Sequence, residues 1–325
     1  MRALVTGAAG FLGFHVAARL LREGWRVAGV DNLNAYYDPR LKLARLGHLE
    51  RFPEFQFERL DLADRRAAEA LFESRRFDLI VHLAAQAGVR YSIDHPHAYI
   101  ESNVAGFLNV LEGARRSGIS HLIYASSSSV YAGSAQVPFT VEDRCDRPVS
   151  LYAATKRANE LMAHCYAHLF GFAATGLRFF TVYGPWGRPD MAPWRFAEAI
   201  DRGRRIDIYN YGRMWRDFTY VDDIVEAVFR LAELPGDGYR LFNIGASAPV
   251  ELMDFVRALE AAFGRRARKR FLPMQKGDVV ATEAGVEELF AAIGFRPQTP
   301  LATGVERFVA WYRDWTGSRR WRAAS

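Results

Sequence analysis

Residues 2–13 read RALVTGAAGFLG, an apolar run of strand character that breaks at Gly7, Gly10 and Gly13 and continues as helix-forming sequence. Glycine allows a tight turn and the close approach of a pyrophosphate. The N–H groups and dipole of the following helix then stabilise the negative charge. The spacing alone is weak evidence, but its context is specific: strand before, helix after, and a second strand RVAGV ending at Asp31. An aspartate there can accept hydrogen bonds from the adenosine ribose and repels a 2′-phosphate, which favours NAD over NADP. Asp61 and Leu62, after the third strand, are candidates for the adenine edge.

Outward from this turn, RALVT, RVAGV, FQFERL, LIVHLA and HLIYAS read as strands, and helical patterns begin near Phe11, Asp64, Pro96 and Leu151. Continuous apolar strands separated by helices predict an α/β fold, a doubly wound parallel sheet of Rossmann type covered on both faces. A further strand lies near ATGLRFF; from Thr181 onward glycines and prolines cluster (VYGPWGRPDMAP). The expected organisation is a cofactor domain over residues 1–180, joined by a return of about 216–246, and a smaller mixed substrate domain from the rest of 181–325.

The chain has 325 residues, half of them hydrophobic, which suits one large α/β domain or two linked ones. A net charge of +6 and a pI near 9.4 favour anionic small ligands. Two cysteines, Cys145 and Cys165, occur without a CxxC, so we expect a reducing compartment, no disulfide and no structural metal. The weakly charged run from Ala3 to Ala18 is too short to span a bilayer and is interrupted by three glycines. It reads as a strand turning into a helix in a soluble cytoplasmic protein with no membrane partner. The basic stretches GRRARKR (264–270) and GSRRWRAAS (317–325) read as a helix end and a fraying terminus, and no nucleic-acid partner is expected.

The chemical end begins where HLIYAS runs into Ser126–Ser129, at the carboxyl edge of the sheet. Tyr152 follows some 25 residues later, with Lys156 one helical turn on and on the same face. A free phenol, with a pKa near 10, is a poor base. An ammonium and a cationic nicotinamide nearby would stabilise the phenolate, and a serine hydroxyl could share the proton of the reacting oxygen. His82, inside an apolar strand, reads as a core histidine.

GAAGFLG, Asp31-Asn32-Leu33, HLAAQAGVR, the serine run with VY, YAATK, RFFTVYGP and RDFTYVDD together resemble the extended short-chain dehydrogenase/reductase family of nucleotide-sugar epimerases and dehydratases, over nearly the whole chain. DNLNAYYDPRLKLARL, AAQAGVRYSI, PVSLYAATKRANELMAH and LRFFTVYGPWGRPDMA are most similar to its UDP-glucuronate 4-epimerase branch. The resemblance implies tightly bound NAD, UDP-glucuronate and UDP-galacturonate as the UDP-sugar pair, and a homodimer joined through cofactor-domain helices. It implies Ser127, Tyr152 and Lys156 as catalytic residues, and Phe11, Leu12, Asn32, Leu83, Ala84, Ala85 and Asn103 beside the cofactor. Thr181 and Ser128 could bind a C5 carboxylate, Arg216 a diphosphate and Asp278 the uridine ribose. Arg188 and Arg90 are candidate anion contacts from loops. Serine rather than an acid before VY argues against dehydratases and decarboxylases. Gln275 and EAGVEEL depart from the pattern at the uridine end. The alternatives are UDP-glucose 4-epimerisation and a non-catalytic dinucleotide sensor, which would usually lack the tyrosine or lysine.

Overall fold

The structure, a computed structural model, describes residues 1–133, 137–275 and 278–324, with side chains through 317. Its strands are β1 (Arg2–Thr6), β2 (Arg26–Asp31), β3 (Phe55–Arg59), β4 (Leu79–His82), β5 (His121–Ser127) and β6 (Ala173–Phe179). There follow β7 (Thr181–Tyr183), β8 (Arg205–Ile208), β9 (Trp215–Tyr220), β10 (Tyr239–Ile244), β11 (Pro249–Glu251) and β12 (Arg268–Phe271). The helices are α1 (Phe11–Arg22), α2 (Pro39–Leu49), α3 (Arg65–Ser74), α4 (Tyr91–Asp94), α5 (Pro96–Tyr99) and α6 (Gly106–Ser117). Then come α7 (Leu151–Phe170), α8 (Ala192–Asp201), α9 (Val221–Glu233), α10 (Leu252–Phe263), α11 (Glu287–Ile293) and α12 (Leu301–Ala324).

Seven parallel strands form the main sheet in the order β10-β6-β5-β4-β1-β2-β3. Alternate residues of one strand enter different cores. Ala3, Val5, Leu79 and Val81 pack with α1 and α9, whereas Leu4 and Ile80 pack with α3, α6 and α7. A strand buried on both faces has no polar side, which is why these segments read as unbroken apolar runs. The strand order reverses between β4 and β1, so their loops separate at the carboxyl edge and open a crevice.

Within residues 216–246, β10 joins the main sheet beside β6, whereas β9 belongs to a small sheet ordered β11-β9-β7. β8 and β12 pair in a third sheet. The GRRARKR stretch is therefore only briefly a helix end: Gly264 terminates α10 in a left-handed conformation and Arg268 already begins β12. Its cations face acids, with Arg270 on Asp207 at 2.7 Å and Lys269 on Glu260. The side chains of the basic tail from 318 onward lie outside the described residues. Among the described residues no helix is long and apolar enough to cross a membrane. Both cysteines are free.

A buried ion pair joins the strands that matter for the site. Arg178 of β6 grips Glu160 of α7 with Nε–Oε1 at 2.8 Å and Nη2–Oε2 at 2.9 Å, both side chains at most 1% exposed. Ser126 Oγ donates to the same carboxylate at 2.6 Å, and Arg178 Nη1 donates to Tyr131 Oη, which donates to Asn243 Oδ1 on β10. Burial pushes the Glu160 carboxyl up, but Arg178, Ser126 and Arg157 outweigh it and hold it below the ordinary value. Its contribution to stability is therefore present above pH 4.5 and is lost as pH falls through the depressed folded value. Glu160→Gln, which leaves a buried guanidinium without its charge partner, should cost about 3–5 kcal/mol in urea unfolding at neutral pH. A loss below about 1 kcal/mol would show that the pair is dispensable.

Candidate active site

The crevice is a cavity of ≈ 360 Å³ at the carboxyl ends of β1, β2, β4, β5 and β6. Gly7 turns with φ +69°, and a Cβ there would lie 2.8 Å from the Ala84 backbone nitrogen. At Gly13 a Cβ would fall 2.0 Å from the Gly7 carbonyl oxygen, so only glycine lets α1 start this close to the strand. Gly10 N-caps α1 with no side-chain hydrogen bond and no acid in the first turn. Its amides are thus free of a competing side-chain anion at the place where a pyrophosphate would lie. Phe11, Leu12, Asn32, Asp61, Leu62, Leu83, Ala84 and Ala85 all line the same cavity.

Asp31 is buried at the end of β2, accepts the Leu33 amide at 2.8 Å and lies 3.5 Å from Lys42 Nζ. Lys42 lies on α2, a helix with little apolar periodicity to mark it in the sequence. The Asp38-Pro39 start, an N-cap whose carboxylate accepts the Arg40 amide followed by proline in the first turn, was the available signal. Asn103 is bonded to the helix that carries Tyr152 and Lys156. It is 1% exposed in a wide π-helical turn at 100–105 and is bonded to both backbone groups of Gln86 and to Thr155. It therefore fastens the loop after β4 to α7 from behind the cavity wall.

At the other end, β5 and the turn after it deliver Ser127 and Ser128 to the cavity, α7 delivers Tyr152 and Lys156, and β7 and the loop after it deliver Thr181 and Arg188. Ser127 Oγ donates to Ser129 Oγ at 3.1 Å and lines the same cavity as the Tyr152 side chain. Burial pushes the Tyr152 phenol up, Ser127 and the charge of Arg188 draw it down, the Asp190 carboxylate raises it again, and it stays above its ordinary value. The loop arginine is thus one cation that the phenol feels, set against the carboxylate of Asp190. Lys156, expected in that role, donates to the Ala125 carbonyl at 2.9 Å. Its ammonium is 2% exposed and burial lowers it to about 8. Behind it, His82 is a neutral core residue bonded to Thr6 at 2.9 Å, its pKa lowered to about 3 by burial and by Lys156.

Arg188 grips Asp190 through Nε–Oδ1 at 3.1 Å and Nη2–Oδ2 at 2.5 Å, and Tyr36 Oη donates to the same carboxylate at 3.0 Å. Neither partner was singled out in the sequence. The remaining candidates gather away from Tyr152: Asp278 lies 3.4 Å from Arg216 and 3.6 Å from Arg90. Arg216 also donates to the Val279 carbonyl at 2.7 Å, and Arg90 stacks over Tyr209. These three residues form a second charged cluster beyond the cavity.

Residues 3–245 match the NAD dependent epimerase/dehydratase family. The chain belongs to that family. A probable UDP-glucuronate 4-epimerase from Rhizobium meliloti is 48% identical over 330 residues, covering 96% of this chain and 97% of the relative. The crystal structure of UDP-glucuronic acid 4-epimerase from Bacillus cereus with UDP-glucuronic acid and NAD superposes with a TM-score of 0.91 at 31% identity, covering 97% of this chain and all of that one. UDP-glucose 4-epimerase from Thermotoga maritima, solved with UDP-glucose, gives a TM-score of 0.89 at 29% identity, covering 97% of this chain and all of that one. For a member of an NAD-dependent family the glycine turn, the uncapped start of α1 and buried Asp31 form a fitting cradle.

Lys156 offers a test of this end of the site. Because its folded pKa is lowered from 10.5 to about 8, the unfolded chain binds more protons between those values and stability should rise with pH there. Nitrogen-detected NMR of the side chain, in protein stripped of cofactor, should show a midpoint near 8 that disappears in Lys156→Met. A midpoint near 10.5 would show that the ammonium is not desolvated.

Proposed function

We propose that this chain interconverts UDP-glucuronate and UDP-galacturonate by NAD-dependent epimerisation at C4. The observation that carries the reading is Arg188: an arginine shares the cavity with Tyr152, Ser127, Ser128 and Thr181, which suits an anionic sugar. Likeness to UDP-glucuronate 4-epimerases over almost the entire chain supports it.

NAD, when bound, supplies the site that accepts and returns the C4 hydride. Tyr152, as phenolate, takes the proton of the 4-hydroxyl, with Ser127 hydrogen-bonded to the same oxygen. Burial and the Asp190 carboxylate oppose the phenolate and hold the phenol above its ordinary value, while Ser127 and the Arg188 charge partly offset them. The 4-keto sugar then turns over in the pocket, so that the hydride would return to the opposite face of C4 while Tyr152 gives the proton back to the O4 oxygen. Turning requires a nucleotide held firmly and a sugar held by short groups. Arg216, Asp278 and Arg90 are assigned to the nucleotide, Ser128, Thr181 and Arg188 to the sugar carboxylate. The serine run places no carboxylate beside Tyr152, which disfavours elimination and decarboxylation of the β-keto acid.

The cofactor half is assigned to residues 1–180 with the returning β10, and the substrate half to the remainder. Leu108 of α6 and Leu161 and Leu169 of α7 are 40%, 57% and 62% exposed, which supports a homodimer joined through these helices. Two free cysteines support a cytoplasmic setting. UDP-glucose 4-epimerisation is the second reading, favoured by the Thermotoga structure. The presence of both Tyr152 and Lys156 in the cavity disfavours a non-catalytic sensor.

Incubation with UDP-glucuronate should yield UDP-galacturonate, with UDP-glucose turning over far more slowly; exclusive turnover of the neutral sugar would overturn the assignment. Tyr152→Phe should lower kcat by about 10²–10⁴-fold with little change in binding. Sedimentation equilibrium should give twice the 36.8 kDa chain mass, and Leu161→Glu should halve it; a monomeric parent chain would contradict the dimer.

A further inference from the structure

The loop that carries Arg188 is held by the cofactor half of the molecule through three consecutive backbone carbonyls. His15 of α1 bonds the Pro185 oxygen at 2.9 Å, and Arg45 of α2 donates from Nη2 to the Trp186 oxygen at 2.6 Å and to the Gly187 oxygen at 3.2 Å. The other arm of Arg45, Nη1, donates at 2.8 Å to the carbonyl of Ala9, inside the glycine turn, and at 2.8 Å to Tyr37 Oη. Arg45 is 0% exposed and no carboxylate pairs with it in the structure's hydrogen bonds or ion pairs among the described residues. A guanidinium without an acid is an expensive group to bury, and its planar fork suits bridging fixed acceptors.

Trp186 adds an independent sign that the loop is forced into place. Its φ is +61°, in the left-handed region that a bulky side chain adopts only when its surroundings over-determine it. Its indole sits between Phe14 and His48 on one side and Trp311 and Trp315 of α12 on the other. Two residues further on stands Arg188.

We infer that Arg45 is a positioning residue that sets the place of Arg188 relative to Tyr152, using the rigid dinucleotide turn as its reference point, and so governs preference for an acidic over a neutral sugar. The inference rests on the proposed reading of Arg188 as the contact for the sugar acid. Arg45 touches neither the cavity nor Tyr152, and its effect must pass through the 185–188 backbone.

The test is calorimetric binding to NAD-loaded protein, in a Tyr152→Phe background so that bound sugar does not turn over, with UDP-glucuronate, UDP-glucose and UDP as ligands. Arg45→Met should weaken UDP-glucuronate by about tenfold or more, the scale of a lost charge-assisted hydrogen bond, while UDP-glucose and UDP change by less than about twofold. Adding Arg45→Met to Arg188→Met should produce no further loss for UDP-glucuronate, because both act through one contact. Arg45→Lys, which can reach one carbonyl but not all, should fall between the parent and Arg45→Met; it carries the test if the methionine variant does not fold. An equal loss for all three ligands, additive losses, or a folded variant with undiminished discrimination would overturn the inference. If the parent does not discriminate and Arg188→Met changes nothing, the reading of Arg188 itself is wrong and the role of Arg45 falls with it.

Discussion

The pairing of Glu160 with Arg178 is the interaction on which the chemical end depends. Both charges are removed from water, so each is stable only while the other holds its place. One carboxylate meets the last strand before the serine run, the helix that carries Tyr152 and Lys156, and the neighbouring strand that ends beside Thr181. Through Tyr131 and Asn243 the same network reaches β10. The serine run and the tyrosine helix are 20-odd residues apart in sequence, and this buried pair is what makes their spacing in the site rigid.

A second theme is the use of backbone carbonyls to hold buried cations. Lys156 rests on Ala125, and Arg45 on Ala9, Trp186 and Gly187. A carbonyl satisfies a donor without cancelling its charge, so the positive potential around the cavity survives folding. That suits a site built for pyrophosphates and acidic sugars, and it explains why burial rather than pairing governs Lys156. Arg188 differs: Asp190 chelates it, and a ligand anion would have to share or displace that carboxylate.

Much of this was legible in the sequence, for identifiable reasons. Strands buried on both faces leave continuous apolar runs, so the main sheet could be read directly. The glycine turn, Asp31, the serine run and the Tyr152–Lys156 spacing are local motifs whose meaning depends on a few neighbours. The bonding of Asn103 is not legible locally, because its partners Gln86 and Thr155 lie 17 and 52 residues away. The helix holding Lys42 and Arg45 announced itself only by a cap and a proline, a signal weaker than apolar periodicity.

The sequence by itself determined the doubly wound fold, the glycine turn and the candidate Tyr152–Lys156 pair, because each is written in residues adjacent along the chain or one helical turn apart. Which distant charges reach the phenol was decided by the tertiary structure alone. Lys156 is close to Tyr152 in sequence, yet burial turns its ammonium to the Ala125 carbonyl. Arg188, 36 positions from Tyr152, is brought to it by a loop clamped from the far side of the glycine turn. Long-range electrostatics and carbonyl capture depend on distances that only packing creates, and no local pattern encodes them.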